Sequence, residues 1–246
     1  SRVNLESAFE WGHRYEPLST MIYELENNTI VGEFGCIKDQ KFDFLGASPD
    51  GINIKRGHPL YGRMLEIKNP KSRIISGIPK KEYWVQMQLQ MECCELDECD
   101  FLETRFKEYE SEEEFNTDGT FKLTKEKNYK GIIIQFYDFK KGALYEYPPF
   151  QCTKKAFQKW YDQKLEENSE LTWTRNIYWF LDEYSCILVP RNKEWFQYSL
   201  PKFQRIWNII KKERVGGYEH RKPKKRIQKP KGEEQIIKIE TEVLNI

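Results

Sequence analysis

The spacing of apolar and polar residues divides the chain into segments of different period. Over residues 4–27, Leu5, Phe9, Leu18, Ile22 and Leu25 recur near helical spacing, the stripe that an amphipathic helix turns toward a core. Pro17 has no N–H to donate and its ring crowds the preceding turn. The helix is therefore expected to kink there, or to restart with Pro17 as its first residue, with Glu16 at the break. Four runs of β-formers follow, at 30–37, 42–47, 51–55 and 63–68, parted by Asp39-Gln40, Pro49-Asp50-Gly51 and Gly57-His58-Pro59. Short runs broken by turn residues predict a meandering antiparallel sheet. Residues 80–96 return to helical spacing: Val85, Leu89 and Leu96 share one face with Trp84 and Met91 beside it, while Gln86 and Gln90 lie together on another.

Further strands are expected at 99–106, 131–139 and 143–147, with the acidic stretch 108–118 as a solvated insertion. Helices are expected at 153–168 and 192–212, flanking an aromatic segment, 173–189, that reads as a strand pair packed over the core. Beyond Val215-Gly216-Gly217 the periodicity stops, and residues 216–246 read as a basic, mobile tail. Residues 1–215 form the expected globular domain, with its core in about 1–150 and a helical and aromatic layer over 151–215.

Composition agrees with a packed body: 39% hydrophobic and 15% aromatic residues, including seven Trp, despite 32% charged residues and a mean hydropathy of −0.79. The net charge of +1 hides a polarised chain, with twelve acidic against two basic residues over 92–118, and ten basic against two acidic over 211–231. A protein that grips nucleic acid needs local positive surface rather than a basic average. No apolar run approaches the ~18 residues of a membrane span, and no basic start leads into an apolar signal region. An intracellular protein is expected, in the cytoplasm or, for a viral protein, in the nucleus of a host cell. Residue 1 is Ser rather than Met, so an upstream segment is expected to have been removed. The six cysteines, Cys36, Cys93, Cys94, Cys99, Cys152 and Cys186, show no C-x-x-C spacing, and reduced, mostly buried thiols are the expectation.

The chemistry concentrates around Asp50. It ends the turn Ser48-Pro49-Asp50-Gly51, and sixteen residues on, Glu66-Ile67-Lys68 lies in an apolar strand. A hairpin would bring the two together. Strand side chains alternate faces, so Glu66 and Lys68 project together and Ile67 opposes them. A carboxylate between Leu65 and Ile67 is costly to desolvate unless a cation meets it. Hard divalent cations take oxygen ligands, and Asp50, Glu66 and the Ile67 backbone carbonyl supply them. Lys68 then stands where it can orient a water or stabilise a pentavalent phosphate.

Asp50…Glu66-Ile67-Lys68 resembles the PD-(D/E)xK nuclease pattern. Trp11-Gly12-His13-Arg14-Tyr15-Glu16, Gly46-Ala47-Ser48-Pro49-Asp50-Gly51, Leu65-Glu66-Ile67-Lys68-Asn69-Pro70 and Gln86-Met87-Gln88 are similar, in order, to the successive motifs of the phage lambda exonuclease (YqaJ-type) family. Pro70 follows Asn69 where some members have Cys-Pro, and residues 173–212 and the tail lie outside the pattern of the shorter members. The resemblance implies an α/β, restriction-endonuclease-like core, a mixed twisted sheet flanked by helices, with a C-terminal helical and aromatic extension. It implies a Mg²⁺-dependent deoxyribonuclease, with Mn²⁺ as substitute, degrading one strand of double-stranded DNA 5′-to-3′ in recombination or replication. A single-strand annealing protein and a homo-oligomer are the implied partners. Carried over by position, Glu16 is the helical carboxylate near the metal, Asp50 and Glu66 the central ligands, Lys68 the catalytic lysine and Gln88 the helix glutamine at the site. Arg14 and Gln86 are assigned to DNA, as are Lys222, Lys224, Lys225 and Arg226 of the basic run, which also reads as a nuclear-import signal or a solvated tail.

The rivals are a structure-specific or nicking endonuclease of the same fold, and a catalytically inert DNA-binding module. His13 and His58 are expected as surface histidines. Cys36, Cys93, Cys94 and Cys99 bear only a weak likeness to the iron–sulfur versions of this nuclease fold.

Overall fold

In the computed structural model, residues 7–222 are described. The first helix, α1 (Ala8–Asn27), opens on Ser7, whose hydroxyl accepts from Glu10 N at 3.2 Å, and closes on Asn28 in the left-handed region (φ 48°). Of the kink or restart expected at Pro17, the restart does not occur, and α1 runs through the proline. The reason is packing: Trp11 and Tyr15 before the proline, Leu18 and Ile22 after it, share one cluster with Phe106, Ile133, Ile177, Trp179 and Leu181. That burial outweighs one lost backbone bond. The predicted stripe is corrected too, because Phe9 is 81% exposed and Leu25 50% exposed.

The first short strands are β1 (Val31–Gly32), β2 (Ile37–Lys38), β3 (Gly46–Ala47), β4 (Gly51–Asn53) and β5 (Met64–Lys68). After them come α2 (Lys81–Cys94), β6 (Glu98–Glu108), α3 (Glu112–Thr117), β7 (Lys130–Asp138), β8 (Gly142–Glu146), α4 (Lys154–Glu167), β9 (Thr172–Pro190) and α5 (Lys193–Gly216). A seven-stranded sheet has the order β1-β4-β5-β6-β9-β7-β8, and β2 pairs with β3 apart from it. The expected run 30–37 thus feeds two different sheets. β5 and β6 are parallel, with α2 as the crossover, while the other neighbours are antiparallel. This is a mixed α/β sheet flanked by helices.

Residues 172–190 form one long strand between β6 and β7, where a strand pair over the core was expected. The acidic stretch is also more ordered than expected. Ser111 caps α3, three glutamates occupy its first turn where the helix dipole favours them, and Phe115 is buried. Lys130 anchors this helix through its ammonium, which donates to the carbonyls of Phe115 and Asp118.

β5 shows how the layers sort. Leu65 and Ile67 pack with Tyr23 of α1, whereas Met64 packs with Met87 and Met91 of α2. The even-numbered residues therefore face α2, and Glu66 and Lys68 are among them. The described residues divide into two compact units that part between Leu200 and Pro201. Among the described residues no helix is long and apolar enough to cross a membrane.

Candidate active site

The β4/β5 ladder ends at the pair Gly51↔Leu65. Asp50, one residue earlier, turns its carboxylate to the donor that the ended ladder leaves over, and Oδ2 accepts from Ile67 N at 2.6 Å. N–H and C=O of one strand residue point to the same neighbour, so the Ile67 carbonyl faces the same gap. Gly51 beside it leaves room for β1, since a Cβ there would lie 2.2 Å from Val31 Cγ1.

Glu66 is fully buried. Its Oε1 accepts from the Lys68 ammonium, and its Oε2 from Gln90 Nε2 at 2.9 Å. Gln90 Nε2 also reaches Ser48 O at 3.3 Å, so α2 ties the Ser-Pro-Asp-Gly turn to the strand carboxylate. Burial, and then the charge of Glu66, push the Asp50 carboxyl up to about 7 against the Ile67 hydrogen bond. Burial pulls the Lys68 ammonium down, but Glu66 and Asp50 outweigh it and hold it above its ordinary value. Glu16 is exposed at the rim, within the electrostatic reach of Lys68, Glu66 and Asp50. Asp50, Glu66, Lys68 and Glu16 thus converge, from a turn, a strand and a helix.

An open groove runs past Glu16 and Lys68 and is lined also by Trp11, Ile67, Arg73, Lys80 and Tyr83, among others. Among the described residues no three or more His, Cys, Asp or Glu side chains gather as a ready metal cluster. The donor set nevertheless suits a hard cation. It is all oxygen, its two central carboxylates repel each other in a desolvated pocket, and the buried Gln90 Oε1 beside them has no hydrogen-bond partner.

Two expected site residues lie elsewhere. Gln88 donates to Pro190 O at 3.0 Å and accepts from Asn192 N at 2.6 Å, tying α2 to the end of β9. Two residues along a helix is a turn of about 200°, so Gln90, not Gln88, reaches Glu66. Arg14 is fully buried, with Nη1 on Glu108 Oε1 at 2.6 Å and its guanidinium over the rings of Trp11 and Tyr145. An arginine sealed in the core offers DNA no surface. Gln86 is half-buried on α2, and Lys222 is exposed and paired with Glu219. Lys224, Lys225 and Arg226 lie outside the described residues. His13 and Cys36 are exposed, Cys93 and Cys99 are buried, and all six cysteines are free thiols.

Sequence reasoning missed Gln90, Arg73, Lys80 and Tyr83. Gln90 carried a signal, since it is a polar residue on the helix nearest the carboxylates. The other three lie in or next to an irregular segment whose path no period reveals.

Residues 3–97 match the YqaJ-like viral recombinase domain. The uncharacterized protein R354 of Acanthamoeba polyphaga mimivirus is 35% identical over 81% of this chain and 42% of its own length, so the chain spans less than half of that relative. The crystal structure of the alkaline exonuclease LHK-Exo from Laribacter hongkongensis is similar at 34% identity over 43% of this chain and 53% of that one, with a TM-score of 0.36. A complex of LHK-Exo with dAMP aligns over 85% of this chain and 74% of that one at 19% identity, with a TM-score of 0.43. The matched residues 3–97 hold the Ser-Pro-Asp-Gly turn, the Glu-Ile-Lys strand and the glutamine-bearing helix, and over them the chain is similar to the YqaJ-like viral recombinase domain.

Proposed function

We propose that the chain is a metal-dependent deoxyribonuclease that hydrolyses phosphodiester bonds of double-stranded DNA, working 5′-to-3′ from an end in recombination or replication. The observation that carries the reading is the convergence of Asp50, Glu66 and Lys68 beside one open groove. Direction, an annealing partner and a homo-oligomeric assembly are supported by the family resemblance.

Asp50, Glu66 and the Ile67 carbonyl would hold Mg²⁺ or Mn²⁺, with Glu16 at the rim. The bound ion would acidify a water and offset charge gathering on the phosphate. Gln90 holds Glu66 by one oxygen, which orients the other. Lys68, kept protonated between Glu66 and Asp50, presents its ammonium to the attacked phosphate and stabilises the added negative charge. Water adds to phosphorus, the bond to the 3′ oxygen breaks, and a 5′-phosphate and a 3′-hydroxyl remain.

Linear duplexes labelled at either end, set against a covalently closed circle, test the reading. Mg²⁺-dependent loss of label from one 5′ end with the circle intact is expected. Nicking of the circle would make the protein an endonuclease, and binding without cleavage in Mg²⁺ or Mn²⁺ would remove the enzyme assignment. Lys68→Ala should lower kcat by about a thousandfold while the far-ultraviolet spectrum stays unchanged.

A further inference from the structure

Helix α5 leaves an apolar stripe in water. Ile206, Ile209 and Ile210 are 44%, 39% and 37% exposed, and their spacing of three and four residues puts them on one face. Single exposed apolar residues are ordinary, but three adjacent ones on a helix make a surface that another apolar element fits. Glu213, a turn further on, lies on that same face. Gly217 turns the chain at φ 83°, and the return brings Arg221 Nε to both oxygens of Glu213, at 2.9 and 2.7 Å, with His220 Nε2 at 3.2 Å. The chain therefore leaves α5 by doubling back toward the stripe.

Charge marks what fits there. Over 201–216, Lys202, Arg205, Lys211, Lys212 and Arg214 stand against one acidic residue, Glu213. By the ~100° step of a helix, Arg205 and Lys212 flank the stripe on one side and Arg214 on the other. Among the described residues, Lys202, Arg205, Lys211 and Lys212 have no carboxylate partner. Residues 233–246 carry the opposite sign, with Glu233, Glu234, Glu240 and Glu242 against Lys238. Within them Ile236, Ile239, Val243 and Ile246 recur at steps of three, four and three, the seam by which one helix lies along another. This segment lies outside the described residues. The link 223–235 can span up to about 45 Å, while the stripe stands only about 9–15 Å back from the end of α5.

We infer that residues 236–246 dock on the face of α5 that carries Ile206, Ile209 and Ile210, with apolar seam against apolar stripe and the glutamates toward Arg205, Lys212 and Arg214. The inference is independent of the nuclease reading. Closing so short a link costs little, since loop entropy grows only with the logarithm of length. Docking also changes what the basic run is. Lys222, Lys224, Lys225 and Arg226 become part of a loop held at both ends and carried beside the end of α5, instead of a free arm.

Hydrogen exchange of the full chain, read by mass spectrometry, tests this against a synthetic peptide of residues 233–246. Amides of 236–246 should exchange at least about tenfold more slowly in the chain than in the peptide. Ile206→Asp with Ile210→Asp should return them to the peptide's rate and leave the far-ultraviolet spectrum unchanged, since both side chains already face water. Should that pair fail to fold, Ile239→Asp with Val243→Asp removes the same contact from the other side. Arg205→Glu with Lys212→Glu should lower the protection about threefold at low salt, and adding Glu240→Lys with Glu242→Lys should restore it. Exchange in the parent at the peptide's rate overturns the inference, as does protection that survives the isoleucine changes. Protection that falls on dilution together with the sedimenting mass assigns the stripe to a second copy and overturns it too, whereas protection unchanged by dilution supports docking within one chain.

Discussion

Glu66 sits in the core with both oxygens bonded by side chains, one to an ammonium and one to an amide. An ion pair this buried gains little net stability, but removing one partner strands the other. Gln90 and Gln88 are both buried on α2 and differ only in what they hold. Gln90→Ala should therefore lower kcat by roughly ten- to a hundredfold with a modest loss of stability. Gln88→Ala should cost about 1–3 kcal/mol of unfolding free energy, because Pro190 O and Asn192 N lose their partner, with kcat kept. Paired urea titrations and turnover assays separate the two, and a larger kcat loss for Gln88→Ala would return that residue to the site. Asp50, Glu66 and Lys68 were legible because their spacing on a turn and a strand is a local property. The glutamine was legible only as a helix, because which of two neighbouring turns faces Glu66 depends on how α2 rolls against β5 and β6.

At the scale of elements, the site depends on where ladders begin and end. β1 lies so close to residue 51 that a Cβ there would stand 2.2 Å from Val31 Cγ1. Gly51→Ala should cost about 1–3 kcal/mol and lower kcat as Asp50 shifts off Ile67 N. A variant with native kcat would show that the turn yields elsewhere. Between β6 and β9 the register shifts: Arg105 pairs with Glu183 and Phe106 with Leu181, so Asp182 is the extra residue of a bulge. Arg105 and Lys107 both bond its carboxylate. Partial burial pushes the Asp182 carboxyl up, but those two hydrogen bonds outweigh it and hold it below the ordinary range. A depressed folded value means stability present above the unfolded pKa of about 4 and lost as pH falls through the folded value. Asp182→Asn should thus cost about 1 kcal/mol near pH 7 and nothing at pH ~2, read from urea midpoints across that range. An equal deficit at both ends would assign the loss to packing. None of this could be read from residues 172–190, where alternating aromatics mark a strand but not a place between β6 and β7.

Over the whole molecule, most strands and helices were legible from period, α3 and the single span of β9 excepted, while their order in the sheet was not. Inserting β9 beside β6 joins residues 71 or more positions apart, and period carries no information about such pairings. Such long-range pairing also makes the candidate site a by-product of a finished sheet: Asp50 is held by Ile67 N, and Glu66 by Lys68 and Gln90, all with protein partners. Chelation should therefore abolish hydrolysis and leave the fold standing, with a thermal midpoint within a few degrees of the untreated protein. Returning Mg²⁺ should raise that midpoint, since a ligand that binds only the folded chain adds about RT ln(1 + [L]/Kd). Asp50→Asn should lose the Mg²⁺-dependent rise while keeping most of the basal midpoint, because the amide oxygen can still accept from Ile67 N but binds a hard cation less well. Calorimetry of both proteins, in chelator and in Mg²⁺, decides it. Collapse of the parent fold on chelation would mean that the ion, rather than the protein's own hydrogen bonds, assembles the site.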